Sequence, residues 1–194
     1  ILGAFGEFTS AYNNSLFLTL SGRNDWTSSL EKKYRSFFYP SASVSYMFSD
    51  QLKTLSWLSD GKFRMSLAQI GKDANPYSTS VVYVVDGAPI DETLLYTRNN
   101  ASGVSNLKPE MTTAFEVGTD LNFLNNRLGL NFTWYRSTSK DLIMAVATDP
   151  GTGFSSITLN AGSIRNKGVE LTLRGKPLVS KDFSWNVLLN FSAN

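Results

Sequence analysis

Three carboxylates, Glu116, Asp120 and Glu170, fall on the polar side of alternating runs, and Arg64 and Arg174 fall on polar sides too. Paired carboxylates can move protons in general acid–base work, or one of them can attack as a nucleophile. Here each sits inside a regular run with cations available to the same face, so ion pairing accounts for them. Histidine and cysteine are absent from the sequence, which removes imidazole and thiolate chemistry and the commonest zinc ligands. Asp73, Asn75, Asp86 and Asp91 offer hard oxygen ligands, yet their spacing matches no calcium loop. The run from Asp149 to Gly153, DPGTG, leads into neither a lysine nor a helix, so it reads as a hairpin tip rather than a phosphate cradle. The expectation is therefore no catalytic residue, no metal ligand and no cofactor.

What remains is recognition chemistry. Trp26, Tyr77, Tyr83, Tyr96 and Arg98 lie in or beside the longer connections. Aromatic rings suit stacking on sugar faces or packing on peptides, which makes these five the candidate ligand-binding residues. The competing reading is that the rings pack the loops together.

The elements that must position these residues follow from a strict every-other-residue apolar pattern. Phe183, Trp185, Val187, Leu189 and Phe191 alternate with Ser184, Asn186, Leu188, Asn190 and Ser192. Successive strand side chains point to opposite faces, so such runs make a sheet with one apolar and one polar side. About eight segments of this kind can be placed by alternation and turn chemistry. They start near Gly3, Leu16, Ser41, Phe63, Phe115, Leu128, Val169 and Phe183. The sixth is expected to run on through Ile143 to Thr148 and to return from Phe154, with Gly162 and Gly168 as candidate bulges before the seventh. Asn13-Asn14 and Asn125-Asn126 suit positive φ in tight turns. One short helix is expected between Asp50 as cap and Gly61 as stop, with Leu52, Leu55 and Leu58 on one face.

Two environments present such a sheet: a soluble sandwich, or a barrel standing in lipid around a watery lumen. Net charge is +2, giving no reason to expect a nucleic-acid partner. Charged residues make up 18%, below the roughly 25% of soluble domains. The polar face carries mostly Ser, Thr, Asn and Gly, which suits a confined, hydrated lumen better than bulk water. Connections alternate between tight and elaborate, the asymmetry of outer-membrane barrels with their short periplasmic turns and long external loops. Phe37, Phe38 and Tyr39 gather at one end of the third segment and Tyr46 and Phe48 at the other, as interfacial girdles would. Arg136 and Lys140 fall above the lipid band, at the interface or loop base. The fold class expected is all-β: an antiparallel up-and-down transmembrane β-barrel segment with one short periplasmic-side helix. The alternative is a soluble β-sandwich carbohydrate-binding or adhesion module; a passive porin is a third option.

Four strings carry a family resemblance: LFLTLSGRNDW from Leu16, FYPSASVSYMFSD from Phe38, LKPEMTTAFEVGTDL from Leu107 and NAGSIRNKGVELTL from Asn160. In this order they resemble TonB-dependent outer-membrane receptors, most of all the SusC/RagA branch of nutrient importers. The resemblance implies a larger barrel, about 22 strands with a plugged lumen in such transporters. Residues 1–194 would then be a middle-to-late part of that barrel, with no plug domain present. It implies the cell outer membrane, with its lipid, the rest of the barrel and the plug as partners. It also implies TonB, acting through the missing N-terminal region, a SusD-like surface lipoprotein, and an oligosaccharide or peptide ligand. YVVDGAPID, from Tyr83 to Asp91, resembles a plug phrase of the same family but sits where a loop belongs, and is read as a short loop hairpin or chance. The first and last strands would leave unpaired backbone edges, which invite association.

Overall fold

Alternation is realised as strand after strand. In the computed structural model, which describes residues 1–52, 55–85, 87 and 93–194, the first four are β1 (Leu2–Tyr12), β2 (Leu16–Trp26), β3 (Ser36–Met47) and β4 (Leu58–Lys72). Three short strands follow in the longest connection: β5 (Tyr83–Val85), β6 (Tyr96–Arg98) and β7 (Ala101–Ser102). Then come β8 (Glu110–Phe123), β9 (Leu128–Lys140), β10 (Ile143–Ala147), β11 (Ser156–Asn160), β12 (Ser163–Val179) and β13 (Ser184–Ala193). The long strands form one 8-stranded sheet in the order β1-β2-β3-β4-β8-β9-β12-β13. Every neighbouring pair in it is antiparallel. Each strand thus lies beside the next long strand in sequence, an up-and-down meander whose two edges, β1 and β13, stay open.

Turn chemistry sets the tight end. Asn13 and Asn14 adopt φ of 49° and 51° between β1 and β2, and Leu124, Asn125 and Asn126 take 54°, 55° and 63° between β8 and β9. Asparagine tolerates this left-handed region better than most residues. Among the described residues the expected helix is absent. Phe48–Gln51 is a single 3-10 turn, and further i→i+3 bonds run from Leu52 N–H to Ser49 and from Leu58 N–H to Leu55. Leu58 and Gly61 already belong to β4. Gly61 is no helix stop: a Cβ there would meet the Phe48 ring at 2.5 Å, so it makes room for that ring to lie on the strand. Lys53, Thr54, Asp86 and Asp91 lie outside the described residues.

Register assigns the faces. Leu18, Val44, Met65 and Val117 share one side; Thr19, Ser43, Ser66 and Glu116 share the other. On the apolar side Leu20, Met65, Leu67 and Phe132 remain exposed. The buried apolar residues among those described are Leu30, Ala74 and Leu107, packed with Tyr34, Val104 and Ile143 under the loops. Among the described residues no second layer therefore interlocks with the leucines and phenylalanines of the sheet, which excludes the sandwich. Aromatic pairs bracket the apolar band along β8: Trp57 stacks on Phe123 at 5.7 Å at the tight-turn end, and Phe115 meets Trp134 edge-on at 6.0 Å toward the other. Of the rings expected to form girdles at the ends of β3, Phe38 and Tyr46 take the apolar side, whereas Phe37 and Tyr39 share the polar side and stack on each other.

The elaborated end departs from expectation in one place. The sixth strand does not run on to Thr148: Asp141 breaks it with φ 56°. β10 pairs instead with β11, and β11 runs parallel to β7, giving a separate 3-stranded sheet above the wall. Tyr83–Val85 pairs with Tyr96–Arg98 as a loop hairpin. Gly162 turns into β12 with φ 83°. Gly168 is no bulge but a regular partner of Tyr135, and the irregularity falls between Gly175 and Leu178.

Candidate functional site

On the polar face the central strands carry a charged ladder. Asp120 on β8 stands across from Lys62 on β4 and Asn131 on β9. Lys62 Nζ lies 2.9 Å from its Oδ2, and the Asn131 amide donates to its Oδ1. Arg64 Nε is 3.8 Å from the same carboxylate, and its Nη2 donates to Thr133 Oγ1 at 2.5 Å. The guanidinium lies flat because its cross-strand neighbour is Gly118, where a Cβ would come within 2.9 Å of both Arg64 Nε and the Phe132 carbonyl. Asp120 and Arg64 are thus joined, as ion pairing predicts. Glu116, Glu170 and Arg174 share the face but form no ion pair among the described residues. Lys62, Asn131 and Thr133 were missed from sequence because the network depends on register between three strands.

A second network ties the loop base. Arg23 Nε donates to Asp25 Oδ1 at 2.7 Å, and the Tyr39 hydroxyl donates to Oδ2. Their signal in the sequence is a charge pair two residues apart on one strand face. Asp73, one of the candidate oxygen ligands, accepts from Thr27 Oγ1 at 2.7 Å and Ser29 Oγ at 3.1 Å. Its carboxylate thereby fastens the β2–β3 loop to the end of β4.

Three of the five candidate ligand-binding residues come together. Tyr83 is the cross-strand partner of Arg98, and Tyr96 pairs with Val85, so Tyr83, Tyr96 and Arg98 share one side of the β5–β6 hairpin. Both tyrosines are exposed. Arg98 is engaged within the loops: its guanidinium sits 4.3 Å over the Phe154 ring and donates to the Gly153 carbonyl. Tyr77, with φ 65°, is exposed at the turn after β4. Trp26 stands on the apolar side at the outer end of β2, with Leu2 and Ser36 as register partners.

An apolar outer band between aromatic girdles, a hydrated and ion-paired inner face, and loops elaborated at one end define a wall of a transmembrane β-barrel. Residues 1–194 match, from end to end, the family described as TonB dependent receptor-like, beta-barrel. The chain belongs to this TonB-dependent receptor family, and so to the β-barrel proteins of the outer membrane. It is 30% identical over 203 residues to the TonB-dependent receptor SusC of Bacteroides thetaiotaomicron, and 28% identical over 202 residues to TonB-dependent receptor P3 of Formosa agariphila. Each match covers 100% of this chain and 20% of the relative, so the chain spans about a fifth of the length of these proteins. Among solved structures, the RagAB peptide importer in its closed-closed state superposes with a TM-score of 0.86 at 26% identity, over 98% of this chain and 21% of the other. This family is one of receptors and transporters.

Proposed function

We propose that the chain is a section of the barrel wall of an active outer-membrane importer that takes up oligosaccharides or peptides too large for passive pores. The observation that carries this is the split sheet: exposed apolar side chains on one side, and on the other a fixed polar wall of Arg64, Lys62, Asp120 and Asn131. Such a wall can hold a plug through polar contacts that are broken and remade as a ligand passes. In this reading the plug and the segment that contacts TonB belong to other parts of the protein. A SusD-like lipoprotein covers the mouth, beside the outer loops. Tyr83 and Tyr96 present two exposed rings on one hairpin face, which suits sugars or peptide side chains equally.

The test is uptake by cells carrying the complete receptor, with and without TonB and the neighbouring lipoprotein, offered labelled oligosaccharide and peptide mixtures. TonB-dependent accumulation of one class supports the reading and names the ligand. Equal entry without TonB would make it a passive pore.

A further inference from the structure

The outward face of the sheet does not simply fade into water above its girdle. On β9 the residue that follows Trp134 on that face is Arg136, and two same-face positions farther stands Lys140. On β12 the outward series Leu173, Leu171, Val169 continues into Lys167 and then Arg165. Register sets Lys167 directly across from Arg136, and Arg165 across from Thr138, diagonal to both Arg136 and Lys140. All four cations are exposed. Among the described residues none makes an ion pair or a side-chain hydrogen bond. Arg136, Lys140 and Arg165 line one shallow surface hollow with Trp134 and Phe115, whose carboxylate is Asp141.

Like charges placed directly across a strand pair repel, so Arg136 opposite Lys167 is unfavourable unless an anion lies between them. On the inner face of the sheet, Lys62 and Arg64 of β4 are neutralised by Asp120 of β8; this outer patch holds one carboxylate against four cations. Its height is set by the girdle: the quartet begins one same-face step beyond Trp134 and ends about three steps beyond, roughly 5–14 Å above the aromatic level for tilted strands. That is the headgroup layer, and the elaborated loops make it the outer leaflet's. Long cationic side chains can bend down to it while their stems stay on apolar surface.

We propose that Arg136, Lys140, Arg165 and Lys167 form a docking site for the phosphorylated headgroup of an outer-leaflet lipid. The acyl chains would lie along Trp134, Phe115 and Val169. This rests on the membrane reading of the sheet.

The experiment uses the complete receptor, delipidated in mild detergent and titrated with bisphosphorylated lipid A while bound lipid is counted by native mass spectrometry. Dephosphorylated lipid A and inorganic phosphate are the comparison arms. The receptor should hold the bisphosphorylated form in preference to the dephosphorylated one, and inorganic phosphate should compete only weakly. Each cation removed should weaken retention by about fivefold, so Arg136→Gln with Lys167→Gln loses about 25-fold and the fourfold Gln variant more. The double variant Arg136→Lys with Arg165→Lys should retain binding, which guards against a fold defect in the Gln series. Neutralising Lys32 and Lys33 in the β2–β3 loop should change nothing. Equal retention by the wild type and the Gln variants, or no preference for phosphate, would overturn the site while leaving the membrane reading intact. A receptor that fails to enter the outer membrane would instead sink that reading.

Discussion

Met65→Arg is the sharpest test of where lipid touches this chain. On β4 the outward residues from Gly61 to Gln69 pass through Phe63, Met65 and Leu67, with Met65 central. About nine residues at ~3.3 Å each, tilted by ~45°, rise roughly 20 Å, close to the ~25 Å of a barrel's apolar band. Met65 therefore lies near the midplane, flanked in register by Val44 and Val117 and 40% exposed on the sheet. An arginine there should cost about 2–4 kcal/mol, whereas the same change near the band's edge, at Phe63, should cost less. Ser66→Arg is the internal control: one residue along, it turns to the inner face, across from Ser43 and Glu116. There a cation gains a carboxylate neighbour in water, so its cost should stay within about 0.5 kcal/mol, as for an ordinary exposed site. Urea unfolding of the complete receptor in lipid vesicles, followed by tryptophan fluorescence, measures all three. A Met65→Arg cost no greater than that of Ser66→Arg would mean that Met65 faces water, and the assignment of faces would collapse.

Other outcomes follow from the same geometry. Asp120→Ala leaves Lys62 and Arg64 unpaired on a partly hydrated wall; screening holds the loss to about 1 kcal/mol, and a double-mutant cycle with Lys62→Ala should show coupling that shrinks as salt rises. Gly168→Ala forces a Cβ to 2.5 Å from the Ala193 carbonyl and 2.7 Å from the Tyr135 hydroxyl oxygen. Overpacking of that kind should destabilise by about 1–3 kcal/mol, read as a lower urea midpoint. Asn14→Val places a β-branched residue at φ 51°, for a cost of about 1–2 kcal/mol and slower barrel assembly in a vesicle-folding assay. Arg98→Ala removes the Phe154 and Gly153 contacts; limited proteolysis should then cut faster between β5 and β11, with the wall strands still protected.

The faces of the long strands could be read from one chain because alternation has a period of two and each strand declares its own apolar side. Asn13-Asn14 and Asn125-Asn126 were legible for a similarly local reason, since few other residues accept positive φ. The helix misreading shows where local signals stop. Leu52, Leu55 and Leu58 fit a helical face, but a stretch this short cannot offset the cost of nucleation, and β4 recruits Leu58 and Gly61 into its pairing with β8. The candidate site divides along the same line. The residue types suited to recognition could be named from sequence. That Tyr83, Tyr96 and Arg98 share a hairpin face depends on pairing register, and that Trp26 stands on the apolar side depends on β2 running as far as Trp26; lone residues encode neither.

Alternation was enough to establish a β wall with one apolar and one polar face, because the side a strand residue takes follows from its own place in the period-two pattern. That no second layer among the described residues covers the apolar face was decided only by the tertiary structure. Which charges neutralise one another was decided only by tertiary pairing. Asp120 meets Lys62 from 58 positions away in sequence because β4 and β8 are neighbours across the longest connection. Arg136 and Lys167 face each other unneutralised for the same reason. Electrostatic partnership is a matter of distance in space, and the strand register sets that distance.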